Sequence, residues 1–495
     1  MKAIKNIMIA LSGIALLASC DMDKFFELDR PESNPWLSVD DLEYSVADPY
    51  NTLFQNPNWQ APIGIIPYYQ ELVADLSTVN PQGAYEQEAL YWYPRQMSTF
   101  DVTGQQFEKT FSILYRSVTG ATSPLTYIEE KEKKGEPVFA NMTENDKKTL
   151  ARQTGELYFM RGYTYWLISR AFVAPYDPAG GEGNNRKFIP LINRLDYSQE
   201  SARNPYMGTV KEVYDQMLSD FAKAKSLMPE DYFVRGRAYK FSAAMMLMRV
   251  KWLMGDKDGA LEEADYVITK AEAGVAPFDL TEEPIVAFNR NAEQQYTVDP
   301  VSKEVMFECA FTESNQGNNV AIPLARMCKT GIYNFKSKTF DASNKLWLEG
   351  ARGSQNWQHG GWACAYWNPR LIKYIGWAVT DDPMDLTNYV PSAEALADKR
   401  FTQLHYFLKN YTDGGDKTIH EMAYNKTKWN AFWNDKYYRA PYGKYSQVPL
   451  IRLAEAYLTR ATLVLSKNAS QALGDVNKIR QRAGLTPLKN VTEAD

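Results

Sequence analysis

Apolar residues recur at the spacing of an α-helix along most of the chain, and capping residues mark the helix ends. In one clear example Val213, Met217 and Phe221 fall on one face, as expected for a helix that buries one side. Thr209, with Glu212 three residues later, forms a capping-box pattern that predicts the start of this helix. The same combination of cap and apolar period predicts further helices that open at Ser38, Thr103 and Thr143.

Two stretches have the pattern of helix pairs folded back on each other. Residues 238–253 are followed by a break at Gly255-Asp256 and a second apolar period. Leu450 to Leu465, with a break at Lys467-Asn468, repeats the arrangement. Helix pairs of about 34 residues with alanines at their contacts resemble tetratricopeptide repeats, which stack because no pair buries its apolar face alone.

The predicted helical repeats cover about 38–274 and 446–485, and the segment between them, about 275–445, differs. Its helical period is weak, and seven of the 12 tryptophans of the chain lie between residues 333 and 445. A long irregular stretch inside a compact chain is more often functional than structural. We therefore predict a mainly α fold, a tetratricopeptide-like superhelix of helix pairs that supports an irregular, aromatic-rich, ligand-binding segment with little β-structure.

The N-terminus has the features of a secretion signal. Lys2 and Lys5 precede the apolar run Ile7 to Ala18, which is shorter than the roughly 20 residues needed to span a bilayer as a helix. The run ends in Leu17-Ala18-Ser19-Cys20, which resembles the bacterial lipobox, where the signal is cut before a cysteine that receives lipid. An ordinary signal with a chance cysteine is the alternative.

These signals predict three parts of the chain: a signal peptide over 1–19, a lipid-anchored tether over 20–35 and a single body over 36–495. Several acyl chains on Cys20, palmitate among them, would hold the body stably at a membrane.

Composition describes a globular body and excludes one class of partner. Charged residues make up 23% of the chain and hydrophobic residues 45%, as in folded soluble domains. The net charge is −5 with lysine and arginine spread throughout, so we expect no nucleic-acid partner. Beyond Cys20, only Cys309, Cys328 and Cys364 remain, which leaves room for at most one disulfide.

Several motifs resemble the SusD/RagB family of surface glycan-binding lipoproteins. The most specific match is Arg452–Leu458, with the sequence RLAEAYL, followed by Asn477–Leu485, with the sequence NKIRQRAGL. Supporting matches are Gly155-Glu156 through Arg161 and Tyr165, Ile189-Pro190-Leu191, and Gly236–Lys240. Together with the lipobox, these motifs cover most of the chain outside the irregular segment.

The resemblance implies four tetratricopeptide-like helix pairs that support a variable face. It also implies that the protein binds oligosaccharide or polysaccharide and acts as the lid of a SusC-like TonB-dependent transporter. Asp21 directly after the cysteine would indicate inner-membrane retention by the enterobacterial rule. We follow the family and expect a surface-exposed lipoprotein of the outer membrane.

Two features depart from the family pattern. Gly162 stands where alanine is usual after the arginine, and a glycine inside a helix costs roughly 1 kcal/mol. The sequence also ends at Asp495 without the charged helix and aromatic segment that follow in relatives.

A sugar ring presents an apolar face of C–H groups and an edge of hydroxyls, so its binder needs flat aromatic rings beside polar side chains. Residues 355–362 interleave aromatics with amides and glycines, as recognition loops do. The candidate glycan-binding residues are Tyr91, Trp92, Tyr93, Trp347, Trp357, Trp362 and Trp367. Core packing is the alternative for each of them, and we expect Trp166 and Trp252, at helical positions, to be core.

Catalytic and metal-binding motifs are sparse. The histidines show no metal-ligand spacing, and the nucleophile and phosphate-loop motifs are missing from the sequence. We therefore expect no catalytic residue and no cofactor. A calcium site is a weaker interpretation than a solvated turn for Asp381, Asp382 and Asp385.

Two alternative functions stay open. The same architecture could bind peptide or another nutrient. A glycoside hydrolase is the less favoured alternative. Its pair of carboxylates can be neither recognised nor excluded among the 60 acidic residues.

Overall fold

The computed structural model describes most of the helical part of the chain and shorter pieces of the rest. The described residues are 36–54, 62–74, 76–79, 101–196, 198–288, 302–309, 333–334, 339–340, 348–349, 365–380, 389–411, 429–434, 436 and 448–492. The predicted signal peptide, Cys20 and the tether lie outside them.

Helices dominate the described residues, as predicted. In chain order they are α1 (Val39–Phe54), α2 (Pro62–Val73), α3 (Asp101–Lys133), α4 (Glu144–Phe172), α5 (Gln199–Arg203), α6 (Val210–Leu227), α7 (Lys240–Leu253), α8 (Lys257–Glu272), α9 (Pro369–Tyr374), α10 (Ala393–Ala397), α11 (Lys399–Leu404), α12 (Leu453–Val464) and α13 (Ala469–Arg482). Single 3₁₀ turns occur at Glu182–Asn185 and Val286–Phe288.

The strands are short. They are β1 (Ser77–Val79), β2 (Lys187–Pro190), β3 (Met207–Thr209), β4 (Val305–Cys309), β5 (Tyr333–Asn334), β6 (Thr339–Phe340), β7 (Leu348–Glu349), β8 (Ala365–Trp367), β9 (Ala378–Val379), β10 (Val390–Pro391), β11 (His405–Tyr411), β12 (Trp429–Asn434) and β13 (Val448–Arg452). Antiparallel pairs join β1 to β8, β2 to β3, β4 to β13, β5 to β6 and β9 to β10. A three-stranded sheet has the order β12-β11-β7, with β7 parallel to β11.

The predicted capping boxes form at the starts of α4 and α6. At α4 the backbone N–H of Asp146 donates to Thr143 Oγ1 at 3.2 Å, and the N–H of Thr143 donates to the Asp146 carboxylate at 2.8 Å. Thr209 and Glu212 do the same at α6, with the same two distances. These bonds satisfy backbone donors that the first turn of a helix leaves without partners, so both predicted starts are confirmed.

Two predicted helix starts were wrong. Thr103 is not a cap, because α3 already begins at Asp101, and an aspartate there suits the positive end of the helix dipole. The helix predicted from Leu450 begins instead at Leu453, because Val448–Arg452 forms β13 and pairs with β4. A short apolar run has no period that separates a strand from a helix, and the strand that pairs with it lies about 140 residues earlier.

The long helices pack in one continuous series, in which each contacts the next: α1, α3, α4, α6, α7, α8, α12 and α13. The main apolar core follows this series. The segment between α8 and α12 is inserted into it without separating the two helices, and it has small clusters of its own, one of them around Phe401, Tyr389 and Phe432. The predicted mainly helical fold with tetratricopeptide-like helix pairs is confirmed.

The family-like motifs meet on buried carboxylates. Glu156 is fully buried and accepts hydrogen bonds from Tyr50 Oη at 2.9 Å, from Arg237 Nε at 2.7 Å and from Arg152. Arg237 and Arg152 both also bind Glu43 of α1. The motifs around residues 155 and 236 therefore join α1, α4 and the start of α7 through one ionic centre, here called the Glu156 centre.

The two halves of the C-terminal motif meet in the same way. Glu304, fully buried just before β4, is paired with Arg452 at 3.2 Å and with Arg482. Arg452 ends β13 and Arg482 ends α13, so this carboxylate ties the end of the inserted segment to the last helix pair.

Gly162 is explained by the close approach of α4 and α6. A Cβ atom at this position would lie 3.1 Å from Asp220 Cβ and 3.1 Å from Phe221 Cε1. Phe221 is fully buried, and Arg161 holds the Asp220 carboxylate with two bonds of 2.9 and 2.7 Å, so neither neighbour moves easily. The missing methyl group thus allows the helices to pack where the Arg161–Asp220 pair joins them.

Cys309 is a buried free thiol in β4. Cys328 and Cys364 lie outside the described residues, so the predicted limit of one disulfide stays a prediction.

Arg161→Ala should lower the free energy of unfolding by about 3–5 kcal/mol, because it leaves the carboxylate of Asp220 buried without its partner. Urea unfolding followed by circular dichroism measures this. Lys147→Ala is the matched control, since it breaks an exposed ion pair with Glu144 and should change stability by less than about 1 kcal/mol. Equal effects of the two substitutions would contradict the assigned role of the buried pair.

Candidate functional site

Of the predicted glycan-binding residues, Trp367 alone lies within the described part of the chain. Tyr91, Trp92, Tyr93, Trp347, Trp357 and Trp362 lie outside it, as do Asp381, Asp382 and Asp385. Their assignments stay predictions. The described residues next to them in the sequence are discussed below.

Trp367 ends β8 and is packed into a small aromatic cluster. Its ring centroid lies 4.9 Å from that of His405 and 6.2 Å from that of Trp377. The residue is partly buried, and its indole Nε1 is buried without a hydrogen-bond partner among the described residues. The cluster therefore fixes the orientation of Trp367 and leaves only part of it accessible.

The strand pair β1–β8 joins residues that precede one aromatic segment in the sequence to residues that follow the other. Val79 is in register with Ala365, and Ser77 with Trp367. The chain that leaves β1 leads to Tyr91-Trp92-Tyr93, and the chain that enters β8 comes from Trp357 and Trp362. The first segment thus follows, and the second precedes, residues that are paired with each other, although the segments are more than 260 residues apart in the sequence. The paired residues Ser77–Val79 and Ala365–Trp367 are here called the β1–β8 junction.

Beside the junction lies a cavity of about 210 Å³ between α2, α4, α7 and β13, here called the Trp166 cavity. Its aromatic and polar lining consists of Gln70, Glu71, Tyr163, Trp166, Arg170 and Arg249, and the remainder is mostly aliphatic. Glu71 connects it to the junction, because Ser77 Oγ donates to the Glu71 carboxylate at 3.1 Å.

Trp166 and Trp252 were predicted to be core residues, and both pack against the main core but remain only partly buried. Trp166 lines the Trp166 cavity. Trp252 lines a more open groove of about 380 Å³ together with Arg452, Glu455 and Leu458.

The two arginines of the Trp166 cavity differ in their partners. Arg249 donates two bonds of 2.6 Å to the Glu455 carboxylate and a third to the carbonyl of Leu450. Arg170 lies over the Trp166 ring, 4.4 Å from its centroid, and donates to the hydroxyls of Tyr214 and Ser169. No carboxylate among the described residues pairs with Arg170.

Glu71 is the acidic residue of the cavity wall. Burial raises the pKa of the Glu71 carboxyl, and this outweighs the opposite effects of Lys436 and of the Ser77 hydroxyl. Burial also raises the pKa of the Tyr163 phenol well above its usual value. The wall therefore combines a fixed cation, a carboxyl with a raised pKa, a phenol and an aromatic ring.

Sequence reasoning missed this cavity, although a local signal exists. Trp166 and Arg170 are four residues apart on α4, and Arg249 and Trp252 three apart on α7, so each pair shares a helix face. The spacing shows that each arginine lies beside a tryptophan, but it does not show what packs against that face.

Within the described ranges, no group of three or more His, Cys, Asp or Glu side chains is arranged to hold a metal ion. Over the same ranges, no helix is both long enough and apolar enough to cross a membrane.

Comparison with known families gives two matches. Residues 55–251 match a SusD-like family described as starch-binding and associating with the outer membrane. Residues 303–495 match the SusD family itself. The two matches cover most of the chain and omit the boundary region at 252–302.

Individual relatives have low identity and a shared fold. A SusD-like protein of Formosa agariphila is 25% identical over 354 residues, and the chain spans 59% of its length. A SusD-like carbohydrate-binding protein of Bacteroides vulgatus superposes with a TM-score of 0.61 at 15% identity, covering 92% of this chain and 78% of the other. A laminarin-binding SusD-like protein gives 0.58 at 13% identity, covering 93% and 87%. At these identities the structural likeness shows the fold.

Glu71→Gln should stabilise the protein more at pH 8 than at pH 4.5. The folded pKa of Glu71 is raised above its unfolded value, so its contribution to stability is largest at low pH and is lost as the pH rises through the folded pKa. Glutamine carries no such dependence. Thermal melts of both proteins at the two pH values give the difference.

Glu144→Gln is the control of opposite sign, because the Lys147 ammonium lowers the pKa of Glu144. The stability lost on substitution of Glu144 should increase as the pH rises, because the ionised carboxylate is the form that Lys147 stabilises. If Glu71→Gln shifts the melting temperature equally at both pH values, the raised pKa of Glu71 in the folded protein is refuted.

Proposed function

The chain belongs to the SusD family, and on that premise we propose that it is a surface-exposed, lipid-anchored lipoprotein that captures oligosaccharide or polysaccharide. We propose further that it acts as the lid of a TonB-dependent outer-membrane transporter. The description of the matched family, starch-binding and associated with the outer membrane, supports both the ligand class and the location. The relatives described as carbohydrate-binding and laminarin-binding support the ligand class.

The observation that carries the proposal is the β1–β8 junction. Trp362 precedes Ala365 by three residues in the sequence, and the segment with Tyr91-Trp92-Tyr93 follows Val79, which is paired with Ala365. We propose that aromatic residues of these two segments form one binding face for a sugar chain, anchored where β1 pairs with β8.

The described cavities support binding without hydrolysis. A glycosidase places two carboxyl groups on either side of the bond that it cleaves, roughly 5–10 Å apart. Among the described residues, Glu71 is the one carboxylate that lines the Trp166 cavity. Glu455, which lines the Trp252 groove, is held by two bonds from Arg249. Neither described cavity offers an acid and a free base.

The geometry of the N-terminus supports a tethered lid. The described body begins at Trp36, whose indole donates to Ser45 Oγ at 2.8 Å and whose ring lies 5.3 Å from that of Tyr127. Cys20 to Pro35 is 16 residues, which reach about 55 Å when extended. A lipid on Cys20 would keep the body at high local concentration near a transporter and still let it pivot.

Trp362→Ala should weaken glycan binding by roughly 5- to 150-fold, because loss of one aromatic platform removes about 1–3 kcal/mol of stacking energy. Affinity gels that contain a panel of soluble polysaccharides give the retardation of each protein, and Trp357→Ala is tested beside it. Tyr44→Ala is the matched control, because it removes an 83% exposed aromatic ring from α1 of the helical body.

The proposal fails if no polysaccharide retards the folded wild-type protein. Binding of peptides in its place would favour the nutrient-binding alternative, and new reducing ends after incubation with a retarded glycan would show hydrolysis.

Cys20→Ala should release the protein from the membrane fraction without changing its retardation by glycans, since the lipid is attached outside the body. Cell fractionation and radiolabelled palmitate incorporation measure the anchor, and growth on the bound glycan measures uptake. Full growth with the released protein would contradict the tethered-lid role while leaving glycan binding intact.

A further inference from the structure

We propose that the Trp166 cavity is a subsite for a single acidic sugar unit, whose carboxylate pairs with Arg170. The inference rests on the proposed function, because it assumes that the ligand is a glycan. It adds a chemical class to that ligand, a glycan that contains uronic acid residues.

Arg170 differs from the other arginines of α4 and from Arg249, which also lines the cavity. Arg152 pairs with Glu43 and Glu156, and Arg161 pairs with Asp220. Arg249 pairs with Glu455. A partly buried guanidinium usually has a carboxylate partner, since removal of a charge from water is costly. Among the described residues, Arg170 has none.

The contacts of Arg170 orient it and leave donors available. Stacking on Trp166 and the bonds to Tyr214 and Ser169 use one face, Nη2 and Nε. Nη1 has no hydrogen-bond partner among the described residues. A planar guanidinium that is held in place in this way is suited to bind a carboxylate, because little side-chain freedom is lost on binding.

The size and lining of the cavity suit one ring. Its volume of about 210 Å³ equals that of roughly seven waters and is below the roughly 300–1,000 Å³ of sites for drug-sized ligands. Gln70 supplies an amide for hydroxyl groups, and Ile63, Ile66 and Leu167 supply apolar contacts for C–H groups. A longer glycan would extend toward the β1–β8 junction, to which Ser77 and Glu71 connect the cavity.

The charges that face the cavity favour an anion when Glu71 is protonated. Arg249 is neutralised by Glu455, so Arg170 and Glu71 decide the balance, with Lys436 acting on Glu71 from outside the lining. At a pH where Glu71 is ionised, replacement of its carboxyl by an amide would remove the one negative charge among the described lining residues and strengthen the binding of an anion.

Calorimetric titration of the full-length protein with D-glucuronate tests the subsite, with D-glucose as the neutral ring and acetate as the carboxylate without a ring. We expect D-glucuronate to bind at least tenfold more tightly than either. Arg170→Gln should reduce its affinity at least tenfold, and Glu71→Gln should increase it severalfold. Arg116→Gln, which removes an exposed arginine from α3, should leave it unchanged.

Arg170→Lys separates ligand binding from a structural role. Lysine keeps the charge, so the variant should retain a preference for D-glucuronate over D-glucose even if thermal melting shows that both Arg170 variants are less stable. Loss of that preference in Arg170→Gln but not in Arg170→Lys supports the subsite.

Equal affinity for D-glucuronate and D-glucose, or an affinity for D-glucuronate that Arg170→Gln does not change, overturns the subsite. Acetate bound as tightly as D-glucuronate overturns the sugar specificity. If the subsite fails while Trp362 still governs retardation by polysaccharides, the proposed function stands without it. If D-glucuronate binds through Arg170 but no polysaccharide is retarded, the proposed function fails and the acid site remains.

Discussion

The Glu156 centre is the interaction on which the rest of the structure depends. A fully buried carboxylate is tolerated only when charged and hydrogen-bonding partners replace the water it has lost, and here Arg152, Arg237 and Tyr50 supply them. These partners come from different parts of the sequence, so the carboxylate is satisfied only when α1, α4 and the start of α7 are in register. Other helix registers would leave this charge buried without a partner, which is strongly unfavourable.

Helix α4 transmits this arrangement to the candidate site. It is 29 residues long, about 43 Å, and carries Glu156 and Arg161 in its middle and Trp166 and Arg170 near its end. Gly162 lets the helix approach α6 closely at the Arg161–Asp220 pair. Trp166 and Arg170 thus lie near the end of a helix whose middle is fixed by two ionic contacts. These contacts help to hold both side chains in place in the cavity wall.

The inserted segment is attached to this scaffold at its edges. The β4–β13 pair and the Glu304 carboxylate hold its beginning and end to the last helix pair, and the β1–β8 junction holds it to the region after α2. Such attachment leaves the helix series continuous, since α8 still packs against α12 across the insertion.

The sequence by itself determined the features that depend on neighbouring residues. Capping boxes at Thr143 and Thr209 and the break at Gly255 are local, because their donors and acceptors are only a few residues apart, and they were predicted correctly. The family motifs were also visible, but the sequence did not show that their arginines meet on Glu156 and Glu304.

Only the tertiary structure decided the features that depend on distant partners. Val448–Arg452 became a strand because β4 offers it backbone hydrogen bonds. Trp166 was predicted to be core from its helical position, yet it lines a cavity, because α2, β13 and α7 meet there without filling the space beside Arg170. A helical pattern shows which residues share a face of the helix. What covers that face depends on packing between segments that are far apart in the chain, and this packing decides whether a tryptophan there is buried in the core or lines a cavity.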